Sequence, residues 1–71
     1  MNRTSSPDPG ALLTEQEAAE LLNVSVRTLQ DWRVTSDGPP FARVGRLVRY
    51  RRDSLHAWLA QNTVQPRTRA V

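Results

Sequence analysis

Ten consecutive residues, 43–52, read RVGRLVRYRR. Five of them are arginine (43, 46, 49, 51 and 52), none is acidic, and Leu47, Val48 and Tyr50 are threaded between the charges. A guanidinium is a planar fork that grips phosphate or a guanine edge at two points, which an ammonium cannot do. A second group lies at Ser25, Arg27, Thr28, Gln30, Asp31 and Arg33. Arg suits guanine, Gln suits adenine, and an acid accepts from cytosine, while hydroxyls at a helix start hold phosphate beside free backbone N–H groups. The chemistry on offer is recognition of a polyanion.

Other chemistries find little support. The chain has no Cys and a single His, so thiolate and His-cluster metal sites are excluded, and no cofactor is expected. His56 lies one step off an apolar helical face with no partner in view. Glu15, Glu17 and Glu20 are explained by helix capping and solvation. No nucleophile constellation and no Gly-rich phosphate loop is present, so an enzyme is not expected. No apolar run approaches bilayer length and no signal-peptide pattern opens the chain, so the expected place is the cytoplasm, away from membrane.

The 71 residues carry a net charge of +3, unevenly spread. Residues 1–26 hold one Arg against Asp8, Glu15, Glu17 and Glu20; residues 27–52 hold seven Arg against Asp31 and Asp37. The acidic end and basic middle suggest one face for a polyanion. All ten basic residues are Arg. A codon bias would explain that choice, but not the clustering.

The elements that must carry these residues are short. Residues 1–11, rich in Ser, Pro and Gly, read as a disordered lead, and 62–71 as a disordered basic tail carrying Arg67 and Arg69. Between them, 12–61 reads as one domain. Thr14 and Glu17 have capping-box spacing, with Leu13 and Ala18 at the staple positions; helix one runs over about 15–22 and stops at Asn23. Ser25 caps a second helix over 26–34, with Leu29 and Trp32 inward, Arg27, Gln30, Asp31 and Val34 outward and Arg33 at the border. Two helices joined so tightly make a helix-turn-helix. Gly38-Pro39-Pro40 ends it. The strands 41–44 and 47–51 flank Gly45-Arg46 as a hairpin, with Phe41, Val44, Val48 and Tyr50 on the buried side and the register open by one residue. A third helix follows, with Leu55, Trp58 and Leu59 inward. The expected fold is mainly α with a small β-hairpin, a winged helix-turn-helix of three short helices and a two-stranded wing. Its core is expected from Leu21, Leu22, Leu29, Trp32, Phe41, Val44, Tyr50, Leu55, Trp58 and Leu59.

LLTEQEAAELLNVSVRTLQDW and GPPFARVGRLVRYRRDSLHAWL, spanning about 12–61, resemble the excisionase-like family of small winged helix-turn-helix proteins, related to the DNA-binding domain of the MerR superfamily. The resemblance lies in Thr14 with Glu17-Ala18-Ala19, Val24-Ser25 with Thr28-Leu29 and Trp32, Pro39-Pro40-Phe41, Gly45-Arg46, Arg49-Tyr50, and Leu55 with Trp58-Leu59. Asn23 stands where the family often has Gly. A fuller MerR regulator continues into a coiled coil and effector domain; neither is expected here.

The resemblance implies double-stranded DNA as partner. The second helix then enters the major groove with Arg27, Gln30 and Asp31 toward bases, Ser25 and Thr28 at a phosphate, and Arg33 as a phosphate contact. The hairpin is a wing: Gly45 permits the turn, Arg46 at its tip enters the minor groove, and Arg43, Arg49 and Arg51 follow the backbone. Arg52 either joins them or pairs with Asp53. The bland alternatives are a solvated helix face, and charges that keep a hairpin edge from aggregating. Three functions follow as expectations. An excisionase, or recombination directionality factor, bends attachment-site DNA and assists an integrase, with copies head to tail on DNA. A small transcriptional regulator acts at promoters. A protein-interaction adaptor turns the basic face to an acidic partner.

Overall fold

The computed structural model describes residues 8–64; most of the expected lead and the tail from 65 onward, with Arg67 and Arg69, lie outside them. The order is β1 (Leu12–Thr14), α1 (Glu15–Leu22), α2 (Val26–Thr35), β2 (Ala42–Val44), β3 (Leu47–Arg51) and α3 (Arg52–Gln61). Three helices and a small antiparallel sheet form a winged helix-turn-helix. The sheet has three strands rather than two, in the order β1-β3-β2, so β3 is central.

Local chemistry accounts for the helix boundaries. Thr14 ends β1 and caps α1: its hydroxyl accepts from the Glu17 N–H at 3.1 Å, and the Glu17 carboxylate accepts from the Thr14 N–H at 2.9 Å. Asn23 closes α1 in the left-handed conformation, φ 59°. Ser25 opens α2, accepting from the Thr28 N–H at 3.0 Å. Ser36 closes it, also left-handed at φ 61°, a conformation that costs a side chain more than it costs glycine. The N-cap position of α3 is Arg51, which offers no side-chain cap. Main-chain carbonyls ahead of β1 take that part: Ala11 accepts from the Arg52 N–H at 3.0 Å and Pro9 from the Asp53 N–H at 2.8 Å. Composition assigns residues 8–11 to the lead, yet these bonds tie them to α3.

The core sits between the sheet and the helices. Leu13, Ala18, Ala19, Leu29, Tyr50 and Leu55 are buried, with Leu21, Leu22, Val24, Val26, Trp32 and Val48 packed against them. The Trp32 and Trp58 rings meet at 5.5 Å, tilted by 48°, and join α2 to α3. Three residues expected in the core stand outside it: Phe41, Val44 and Leu59 are 38–49 % exposed. For Val44 the cause is register. Leu13 pairs with Tyr50, Arg43 with Val48 and Val44 with Leu47. Paired residues share a face, so Val44 lies with Leu47, Arg49 and Arg51 on the outer side, one step from where the alternation suggests. Gly45, φ 64°, takes the first position of the two-residue turn that sets this register.

Gly38 lies against Trp32: an added Cβ would stand 2.8 Å from the Trp32 Cβ. Gly38→Ala is therefore expected to lower stability by about 1–3 kcal/mol, from overpacking. Ser36→Gly is expected to raise it by up to about 1 kcal/mol, from relief of the left-handed backbone. Urea denaturation of the two variants checks both signs.

Candidate nucleic-acid interface

The helix-turn-helix brings α1 and α2 together, and β3 returns beneath them. The seam between these elements is polar. Arg33, in the last turns of α2, donates from Nη1 to the Tyr50 hydroxyl at 2.9 Å, and its Nη2 lies 3.1 Å from Glu15 Oε1. The Arg33 side chain is 17 % exposed and Tyr50 is 1 % exposed. The contact with Glu15 is an ion pair rather than an aligned hydrogen bond: Oε1 is shut off from solvent and no N–H points squarely at it. Burial alone would work against the Arg33 charge. The hydrogen bond and attraction from Tyr50, joined by the attraction of the Glu15 carboxylate, outweigh it and hold its pKa above the ordinary arginine value. Arg33 therefore stays charged throughout the accessible pH range. The other Glu15 oxygen, Oε2, accepts from Gln30 Nε2 at 3.3 Å. Tyr50, Arg33, Glu15 and Gln30 thus form one chain from the sheet to the outer face of α2.

The remaining α2 residues are placed as follows. Arg27 and Asp31 are exposed and paired with each other across one turn at 3.3 Å. Such an exposed pair contributes little to stability and is released at small cost. Val34 is 85 % exposed on the same outer side. Ser25 and Thr28 are engaged with each other, Oγ to Oγ1 at 2.9 Å, as part of the helix cap. Arg33, expected at a phosphate, has its guanidinium against Glu15 and Tyr50.

On the wing, Arg46 is exposed at the turn and makes no hydrogen bond, ion pair or ring contact among the described residues. Arg43 is exposed and lies 5.7 Å from the centre of the Phe41 ring, with Arg33 at 5.6 Å from the same ring. The same ring lies 6.2 Å from that of Tyr50. Arg49 donates to its neighbour's carbonyl, Val48 O, at 2.8 Å. Arg51 pairs with Asp53 at 2.8 Å. Arg52 lines a separate hollow with Leu13, Glu17, Glu20 and Leu21. A shallow groove runs between the start of α1 and the wing, bordered by Glu15, Gln16, Arg33, Arg43, Arg46 and Arg49.

One comparison agrees with this architecture: the family model of a helix-turn-helix domain matches residues 12–63. The chain belongs to this helix-turn-helix domain family. DNA is the partner such a domain serves, and α2 is its second helix. No curated protein matches the chain. Among the described residues, no helix is long and apolar enough to cross a membrane.

Sequence reasoning missed Glu15, which it assigned to capping and solvation. Fifteen positions separate Glu15 from Gln30 and eighteen from Arg33. No helical or strand period connects such residues; only the folded turn brings them together.

Tyr50→Phe removes the hydroxyl and leaves Arg33 Nη1 unpaired in a closed site. The expected loss is about 1–3 kcal/mol, the range for leaving a buried polar group unsatisfied, with the sheet retained. Urea denaturation with far-ultraviolet circular dichroism checks it.

Proposed function

We propose that the protein binds DNA in a sequence-dependent manner as an architectural factor of the excisionase type, bending attachment-site DNA to assist an integrase, with no chemistry of its own. The observation that carries the DNA reading is the division of exposed arginine between two neighbouring elements. Arg27 stands on the outer face of α2 in a pair that is easily released, and Arg46 stands without an internal partner at the wing tip. A helix in the major groove and a hairpin beside it use these two kinds of cation differently. Arg27, Gln30 and Asp31 read base edges, while Arg46 enters the minor groove and Arg43 and Arg49 meet the backbone. Arg51 joins them once released from Asp53. Ser25 and Thr28 order the helix end that approaches a phosphate. Arg33 braces the two elements rather than touching DNA.

The choice of an excisionase over a promoter regulator rests on the family resemblance of the motifs from Thr14 to Leu59. The same contacts would serve at a promoter. One such module covers little DNA, so several copies on adjacent sites, acidic α1 toward a neighbour's basic wing, complete the proposal. Glu20 is exposed on α1 and suits that contact.

The test is capture of fragmented host DNA by the purified protein at physiological salt, followed by sequencing. Enrichment at an attachment site beside an integrase gene is the expected outcome. Enrichment at promoters alone would replace the excisionase reading with the regulator. No enrichment would overturn DNA binding and turn attention to an acidic protein partner. In addition, Arg46→Ala is expected to weaken binding to all sequences alike and to reduce the slope of log affinity against log salt by about one. Arg27→Ala is expected to relax preference at one base pair, at about 1–3 kcal/mol of discrimination. Titrations at several salt concentrations, against matched and mismatched duplexes, separate the two behaviours.

A further inference from the structure

The Gln30 side chain is exposed on α2, yet its amide has a partner within the protein. It donates from Nε2 to Glu15 Oε2 at 3.3 Å. A carboxylate only accepts, so chemistry decides which end of the amide faces it. Glu15 is itself held: its other oxygen lies 3.1 Å from the guanidinium of Arg33, which is anchored on the buried Tyr50. The acceptor offered to Gln30 is therefore fixed from the core outward. With one N–H engaged, Gln30 keeps Oε1 and its second N–H for an outside partner. That combination of acceptor and donor complements the N6 donor and N7 acceptor of adenine.

We propose that Glu15, a residue of α1 and not of the recognition helix, determines base preference by holding the Gln30 amide in the orientation that accepts adenine. The inference rests on α2 being the helix that reads DNA. Glu15 is a positioning residue: it acts through Gln30 and needs no contact with DNA. Replacing its carboxylate by an amide removes the constraint, because an amide both donates and accepts. Gln30 then presents either edge, and the selection for adenine weakens.

The test is selection of bound duplexes from a randomised pool, with sequencing, for the wild type, Gln30→Ala and Glu15→Gln. The wild type is expected to enrich adenine at one position by roughly five-fold or more. Gln30→Ala should abolish that preference, and Glu15→Gln should reduce it at the same position while preferences elsewhere persist. A purely structural role for Glu15 would instead erode every position together. That outcome, or a full adenine preference in Glu15→Gln, overturns the proposal. If the wild type selects sequences but Gln30→Ala selects the same ones, the proposal fails and DNA recognition stands. If the wild type selects nothing, both fall. Should Glu15→Gln not fold, side-chain 15N relaxation of the wild type decides. Gln30 is expected to be more ordered than Gln16 and Gln61, whose exposed amides make no hydrogen bond among the described residues. A Gln30 amide as mobile as theirs overturns the proposal.

Discussion

The guanidinium of Arg33 is the constraint on which the arrangement turns. Removing a charge from water costs several kcal/mol unless close partners replace the solvent. Here the partners come from two other elements: the Tyr50 hydroxyl from the central strand and the Glu15 carboxylate from the start of α1. Sliding α2 along the sheet, or lifting α1 from α2, would strip a partly buried charge of a partner. In a chain of this size the core supplies only a few kcal/mol of net stability. One such penalty is comparable with the whole margin, so the relative placement of α2 and wing is tightly specified.

The rest of the fold supplies a rigid base for that seam. β3 is paired on both sides, and its Tyr50 and Val48 face the helices while Arg49 and Arg51 face away. β1 is only three residues long, but it places Leu13 in the core and passes directly into the capped start of α1. The N–H groups at the start of α3 are satisfied by carbonyls just before β1, which closes the body without a side-chain cap. The wing is thus the far end of a sheet whose near end is locked to all three helices.

Arginine serves two purposes here, and position tells them apart. Arg33 is internal and structural. Arg27 and Arg51 are exposed but balanced by Asp31 and Asp53 through short contacts that part easily. Arg43 and Arg46 are exposed without an acidic partner among the described residues. In the proposed complex with DNA, the unbalanced cations beside the wing are met first and the weakly paired ones are competed for next.

Local chemistry was legible in the sequence alone. The boundaries of α1, the start of α2, the hairpin turn and the inward line of Leu29, Trp32 and Leu55 each follow from caps, turn residues and periodicity within a few positions. So does the exposure of Arg27, Gln30, Asp31 and Val34, because one helical turn determines which side chains share a face. What spans the chain was not legible. Strand β1 has three residues, too few to show an alternation, and exists because β3 offers it an edge. Val44 fell on the outer face because the register of a hairpin is a matter of one residue, and one residue reverses the side. Phe41 stands partly exposed at the edge of the core, its ring touched by two guanidinium groups from separate elements. The pairing of Arg33 and Gln30 with Glu15 joins residues fifteen or more positions apart. Capping and periodicity act over three or four residues, and only tertiary packing could decide which charge meets which partner across that distance.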